Sequence, residues 1–370
     1  IEISLFLSGL NVHGMTFKEI LFLIEAFLTF GNPLDLRNRI IIDKHSTGGV
    51  AGNRTTPIVV SICSSLGLVF PKTSSRAITS AAGTADVLEA ITNVELSRKK
   101  LLEVLKKTNA CMIWGGGLNM VPADSKLIKI EKLLNIDLEP LLLASVFSKK
   151  LAVGSNYILI DIPFGPDAKL DKKTAKRIGR KFKKLGKHFK RKVKCVLTDG
   201  NFPIGRGIGP MLELNDVISV LDPTKRGPED LREKALMLSG KLLEMSGKVK
   251  KGQGKIVARK VLDSGLAFKK FNQIIDAQGR KKLKLKLAKY GKHIIAKKAG
   301  SVSQMHNKKI NMLARILGCP IDKAAGVLLN CNHSDSVEKG QIIMTLFAES
   351  KERIKQAEEF IEKEKPFKIV

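Results

Sequence analysis

The sequence predicts an α/β fold with a mainly parallel sheet, followed by a separate α+β module towards the C-terminal end. Three observations predict it. Short branched-apolar runs at residues 39–43, 157–162 and 193–197 alternate with longer helical stretches, the succession that builds parallel strands with crossover helices. Loops rich in glycine and small hydroxyls follow the first of these strands and the apolar pair Val69 and Phe70, where strands hand over to helices. From about residue 292 onward, Val, Ile and Gly punctuate shorter strands.

In chain order, Leu5, Leu7 and Leu10, then Ile20, Leu23 and Phe27, recur at helical spacing. Thr16 stands as an N-cap with Glu19 three residues later, so two packed helices are expected over residues 1–30. The strand at 39–43 ends in Asp43, and Lys44-His45-Ser46-Thr47-Gly48-Gly49-Val50-Ala51-Gly52 leads into a helix over about 56–66. A second small-residue loop, Ser74-Ser75-Arg76-Ala77-Ile78-Thr79-Ser80-Ala81-Ala82-Gly83-Thr84, precedes a helix opening near Asp86. Helices return after Pro122 and run through Leu151; helices are also expected over 171–190, 229–246 and 256–277. No internal repeat interrupts this order.

Composition bounds the function. A chain of 370 residues holds two or three domains. With 44% hydrophobic and 27% charged residues and a mean hydropathy of −0.01, it buries a large core and is not disordered through most of its length. No apolar run approaches the roughly 20 residues that span a bilayer, and the stretch 20–30 is broken by Glu25. The cysteines, 63, 111, 195, 319 and 331, are odd in number and at least twelve residues apart, which points to reduced thiols and a cytoplasmic protein. Because the chain opens at Ile1 without an N-cap or a basic leader, the natural start is expected upstream. Sixty-five Lys plus Arg against thirty-five Asp plus Glu leave a net charge of +30, so anions are the expected partners unless the lysines reflect a general bias.

Two loops carry the chemistry. The first offers backbone N–H groups at a helix N-terminus, made approachable by Gly48, Gly49 and Gly52, with Lys44 adding charge. The bland alternative is a tight strand-to-helix turn. It is not a P-loop, because the lysine precedes the glycines. The second sets Ser74, Ser75, Thr79 and Ser80 beside Arg76, whose planar fork suits a phosphate, with a solvated Arg76 on a close-packed loop as the alternative. Two anion loops after neighbouring strands suggest two phosphates. The run 205–209 reads as a rigid turn, since its glycines are too close for a dinucleotide fingerprint. Of the histidines only His45 lies in a candidate site, and no metal-ligand spacing exists, so no metal or other cofactor is expected. The cysteines read as core fillers.

Asp43-Lys44-His45-Ser46-Thr47-Gly48-Gly49-Val50 resembles the signature of the thymidine and pyrimidine-nucleoside phosphorylase family. The segments Gly52-Asn53-Arg54, Lys72 onward to Asp86, and Trp114-Gly115-Gly116 are similar to its archaeal-type, AMP-cleaving branch, and the likeness covers essentially the whole chain. The resemblance implies phosphorolysis of a nucleoside 5′-monophosphate, AMP and also CMP or UMP, by inorganic phosphate, giving free base and ribose 1,5-bisphosphate. By matching motifs, Lys44, Ser46, Gly49, Thr56 and Thr84 would hold an anion, and Ser75, Arg76, Ala77, Ile78, Thr79 and Ser80 would bind the nucleotide. Asp137 would donate the proton to the leaving base, and Ser145 and Lys169 match further nucleotide positions; His45 and Lys149 rank below these. The family places residues 1–34 and 123–152 in a small helical domain facing an α/β domain of 35–122 and 153–290 across a cleft, with a C-terminal domain over 291–370. It also implies a homodimer or larger homo-oligomer and an additional N-terminal domain. Where its members read Glu-Arg-Pro-Leu, this chain has Glu131-Lys132-Leu133-Leu134.

The chemistry fits these roles: breaking a glycosidic bond builds positive charge on the sugar and negative charge on the base, so a nearby phosphate and a protonated carboxyl serve the transition state. Two other readings remain open. A pyrimidine-nucleoside phosphorylase would share the first loop but need no second phosphate pocket. A basic nucleic-acid-binding protein is suggested by fourteen Lys or Arg against one acid between 169 and 194, although only Phe182 and Phe189 are aromatic there and a solvated helix face explains the run better. Neither nucleic acid nor a membrane is expected as a partner.

Overall fold

A computed structural model describes the chain except residues 35, 37, 38, 78, 79, 135 and 283–287. Two helices open it, α1 (Glu2–His13) and α2 (Phe17–Thr29). Thr16 and Glu19 cap α2 reciprocally: the Glu19 N–H donates to the Thr16 hydroxyl and the Thr16 N–H to the Glu19 carboxylate. The first parallel unit follows as β1 (Ile42–Ser46), α3 (Thr55–Ser65), β2 (Phe70–Ser74), α4 (Thr84–Glu89), α5 (Arg98–Thr108) and β3 (Ala110–Trp114). The helices α6 (Pro122–Leu134) and α7 (Glu139–Ala152) return to α1 and α2, so the opening helices pack on this later pair, α1 on α6 and α2 on α7 and α6. The sheet resumes as β4 (Tyr157–Phe164), α8 (Lys172–His188) and β5 (Lys192–Asp199), and β6 (Gly207–Ile208) leads to α9 (Pro210–Leu221), α10 (Glu229–Met245), α11 (Gly254–Asp263) and α12 (Leu266–Ala277). The single helix expected over 256–277 is broken at Gly265, whose φ of 76° no helix continues through.

The strands β1, β4 and β5 pair in parallel, as do β2 and β3, and a parallel bridge from Ile41 to Val69 links the two groups. The first strand is displaced from its expected position at 39–43, because its pairing with Tyr157 to Asp161 of β4 carries it through Ser46. Alternation across the pleat feeds two cores. Ile42, Phe70 and Leu159 face α3 and α9 to α12, whereas Cys111, Ile158, Ile160 and Ile162 face α5, α7 and α8. Phe182 and Leu185 of α8 are fully buried there, leaving its lysines outward. Part of that basic face is engaged: Arg177 and Lys181 pair with Glu139, and Lys184 lies 4.2 Å from the Phe17 ring.

The C-terminal module comprises β7 (Tyr290–Ile295), β8 (Gly300–Met305), α13 (Asn307–Leu317), β9 (Gly326–Leu329), β10 (Ser336–Val337), β11 (Ile342–Ala348), α14 (Lys351–Glu364) and β12 (Phe367–Ile369). Its antiparallel sheets run β6-β9-β11-β7 and β10-β8-β12, so β6 stitches the module to the rest. The α/β expectation with a C-terminal α+β module is met. Among the described residues no helix is long and apolar enough to cross a membrane.

Candidate active site

Both loops leave the C-terminal ends of parallel strands, the edge where α/β sheets take ligands. After β1, Gly48 and Gly49 adopt φ of 84° and 89°, a region that side chains rarely enter. A Cβ on Gly49 would come within 2.5 Å of the Lys169 backbone nitrogen, while Gly48 faces open space. Gly48 thus has open space beside it, its N–H donating to the Ser46 hydroxyl at 3.4 Å, and Gly49 lets the segment carrying Lys169 close on the loop.

Beneath the loop lies buried positive charge. Lys44 is 1% exposed, and its Nζ donates to the hydroxyls of Thr55 at 2.8 Å and Thr56 at 3.4 Å. The fully buried Asp43 takes Lys150 at 2.7 Å and Lys72 at 3.6 Å. Asp161, in the middle of an otherwise apolar strand, accepts from Thr198 at 2.7 Å and pairs with Lys234 at 3.4 Å. Among the described residues this floor holds four buried lysines against two aspartates. Unmatched buried charge is costly and is relieved by an opposite charge. Burial pulls the Lys44 ammonium down to about 8 despite Asp161, and burial also lowers Lys72 and Lys234. For Asp161, burial acts upward, but Lys234 and Lys44 outweigh it and hold the carboxyl below its usual range. His45, half-buried, is held well below the ordinary imidazole value by desolvation and then by Lys150, Lys72, Lys149 and Lys44. Ser46 lies half-buried at the strand end.

The second loop is braced from within. Ala77 and Gly83 donate backbone N–H groups to Asp86 at 2.7 and 2.9 Å, and the Ser80 hydroxyl donates to Ala82. Ser75 is exposed; Ile78 and Thr79 lie outside the described residues. Thr84 accepts from Arg54, which also donates to the Ala82 carbonyl and to Glu213, so one guanidinium ties the two loops together. The Arg76 fork closes on Glu89 at 2.7 and 2.8 Å and on Glu95 at 2.8 Å, over the Trp114 ring at 5.0 Å. In this structure the guanidinium braces the loop against carboxylates from α4 and the loop after it. Their hydrogen bonds, chiefly from Glu89, raise Arg76 above its ordinary value.

The facing wall comes from α6 and α7. Asp137, exposed between them, is ion-paired with Lys169. Lys149 bonds Asp124 at 2.6 Å and donates to Ser145 at 2.8 Å. Glu131, half-buried near the end of α6, is raised to about 7 by burial and then by Asp137 and Asp124. Gly49, Lys169 and Asp137 thus form one contiguous chain, and Ser145 with Lys149 a second group. Sequence reasoning passed over Thr55, Arg54, Lys72, Lys150, Lys234, Asp43, Asp161 and Glu131 as site residues, although Asp43, Arg54, Lys72 and Glu131 stood in the segments that carry the resemblance and Asp161 is a charge inside an apolar strand.

A hollow of about 600 Å³ opens beside this floor, lined by residues that include Thr198, Asp199, Arg206, Asp230, Lys234 and His333, none from the two loops. The 205–209 turn beside it is fixed by Asp216, which accepts from the N–H groups of Arg206 and Gly207. Cys63, Cys111, Cys319 and Cys331 are buried, and burial pushes the Cys195 thiol up to about 12, as core fillers require.

Residues 38–268, which hold both loops and the facing wall, match the family described as "Glycosyl transferase family, a/b domain". The chain belongs to this glycosyl transferase family. Residues 301–368 match the "Pyrimidine nucleoside phosphorylase C-terminal domain". This glycosyl transferase is 42% identical over 373 residues to an AMP phosphorylase of Methanococcus aeolicus, covering 100% of this chain and 74% of that protein. It is 43% identical, with the same coverage, to an AMP phosphorylase of Pyrococcus furiosus. A Legionella pneumophila protein provisionally named thymidine phosphorylase is 43% identical over 351 residues, 95% of this chain and 68% of that one. Among solved structures, anthranilate phosphoribosyltransferase from Thermus thermophilus superposes with a TM-score of 0.61 at 18% identity, over 73% of this chain and 88% of that one, a likeness of fold alone.

Proposed function

We propose that this glycosyl transferase is an AMP phosphorylase: it cleaves nucleoside 5′-monophosphates with inorganic phosphate, giving free base and ribose 1,5-bisphosphate. A phosphate oxygen forms the new bond to C1′ of the ribose, the C1′–N bond breaks, and the base leaves with the bonding pair and one proton. The observation that carries this reading is the floor of four buried lysines under a glycine loop, facing a carboxyl-bearing wall. An excess of buried cations is suited to an anion. Relatives named AMP phosphorylase across the full chain support the nucleotide as substrate.

In this mechanism Lys44 charges the floor and orients the Thr55 and Thr56 hydroxyls, while Ser46 and the Gly48 and Gly49 backbone meet the attacking phosphate. Neutral His45 serves as a hydrogen-bonding group. The second loop, from Ser75 through Ser80 to Thr84, takes the nucleotide with Lys169, Ser145 and Lys149. Asp137 protonates the departing base. The cleft closes as the helical residues 1–34 and 123–152 swing towards the α/β part, which excludes water and brings Asp137 to the base. The protein acts in the cytoplasm as a homodimer or larger homo-oligomer.

A second reading, cleavage of pyrimidine nucleosides, draws on the Legionella relative, but relatives named AMP phosphorylase that span the whole chain weigh against it. Incubating the protein with phosphate and either AMP, CMP, UMP, adenosine or thymidine, and quantifying released base, separates the two. Release from AMP with ribose bisphosphate formation supports the proposal; release from thymidine alone overturns it.

A further inference from the structure

The C-terminal module does more than extend the sheet. Its helix α13 opens with Asn307, fully buried, and carries Asn311 one turn later, 8% exposed. Residues at i and i+4 share a helix face, and these two carboxamides reach different loops. The Ala51 N–H, in the first glycine loop, donates to Asn307 Oδ1 at 2.9 Å. The Ala81 N–H, in the second loop, donates to Asn311 Oδ1 at 3.0 Å. Asn307 Nδ2 also donates to the Gly200 carbonyl at 2.9 Å, and Asn311 Nδ2 to the Asn307 carbonyl at 3.1 Å. Every polar atom of both side chains is thereby used. Ala51 and Ala81 are themselves buried in the module's core, with Ile310, Leu313 and Ala314 of the same helix.

We infer that Asn307 and Asn311 are positioning residues that set the two anion loops separately, Asn307 the loop for inorganic phosphate and Asn311 the loop for the nucleotide. The inference rests on the phosphorolysis proposed above. A segment with three glycines at positive φ, Gly48, Gly49 and Gly52, has many conformations open to it, and selecting one before the ligand arrives removes an ordering cost from binding. The peg at Ala51 does this two residues beyond Gly49. The peg at Ala81 acts likewise on the second loop, whose neighbouring N–H groups, at Ala77 and Gly83, are taken by Asp86. One helical turn therefore carries a separate peg for each loop, an arrangement no local sequence pattern reveals.

The test uses the full chain, with AMP and phosphate varied independently. Truncating Asn307 leaves the Ala51 N–H and the Gly200 carbonyl without partners, and a lost buried hydrogen bond corresponds to about tenfold. Asn307→Ala is expected to raise the KM for phosphate about tenfold with the KM for AMP held within about twofold, and Asn311→Ala to do the reverse. Should Asn307→Ala not fold, Asn311→Ala carries the test through its AMP and phosphate KM values and its exchange readout. Amide hydrogen exchange supplies a readout independent of catalysis: Ala51 should lose protection in Asn307→Ala and Ala81 in Asn311→Ala. Equal rises in both KM values, no change in either, or unaltered exchange overturns the inference. Absence of adenine release by the unsubstituted protein would instead overturn the proposed reaction, leaving exchange to decide whether the pegs exist.

Discussion

Lys169 reaches across the cleft to the Asp137 carboxylate while its own backbone rests against Gly49. One residue thus touches the loop proposed for phosphate and the group proposed to protonate the base. Movement of the segment that carries Lys169 would therefore be felt at both.

Asp137→Asn should lower kcat by about a hundredfold or more, the usual contribution of a positioned general acid. The KM for AMP should move by less than about threefold, because the amide retains the shape of the carboxyl. Steady-state assay of adenine release checks this. A variant with wild-type kcat removes the assignment.

Glu131 gives a pH dependence with a definite sign. Its folded value, raised to about 7 from the ordinary 4.5 by burial, Asp137 and Asp124, means that the native state holds the proton more tightly than the unfolded chain. The stabilisation is complete below about 4.5 and is lost as pH rises through 7. Glu131→Gln, which stays neutral, should therefore flatten the decline in Tm between pH 5 and pH 8. Melting curves at four pH values read the slope directly, and an unchanged slope would show that Glu131 does not titrate in this window.

The layer order, the strand-to-helix loops and the C-terminal module were legible because alternating periods and glycine clusters are local signals. The edges were less so. The first strand runs to Ser46 because Asp161 and its neighbours pair with it from more than a hundred residues away. The buried floor was mostly invisible for the same reason. Lys72, Lys150 and Lys234 look like any other of the chain's many lysines, and only the meeting of three elements at Asp43 and Asp161 takes them out of water. The carboxylates that meet Arg76, Glu89 and Glu95, stand thirteen and nineteen residues on, beyond the reach of the loop's own pattern.

That bracing role makes Arg76 testable apart from the first loop. Its hydrogen bonds are the main influence holding Glu89 down at about 2. Stability from this pair is present above about 4.5 and lost as pH falls through 2, since a lowered carboxyl favours the folded state only while ionised. Arg76→Gln should lower Tm at pH 7, weaken its fall in acid, and raise the KM for AMP while the phosphate KM stays within about twofold, as expected for loops ordered by different partners. A matching rise in the phosphate KM would mean that the loops are not set independently.

The close approach of Gly49 to Lys169 can be separated from the backbone strain that any side chain would bring. Gly48 and Gly49 have nearly equal positive φ, 84° and 89°, but only at Gly49 would a Cβ strike backbone, at 2.5 Å from the Lys169 nitrogen. Both alanine substitutions incur the left-handed penalty of about 1–2 kcal/mol. Gly49→Ala must in addition push the Lys169 segment away, and with it the contact to Asp137. The expected pattern is a modest rise in phosphate KM for Gly48→Ala, and for Gly49→Ala a rise of about tenfold or more together with a fall in kcat. Equal effects of the two substitutions on kcat would place the link between phosphate loop and acid somewhere other than Lys169.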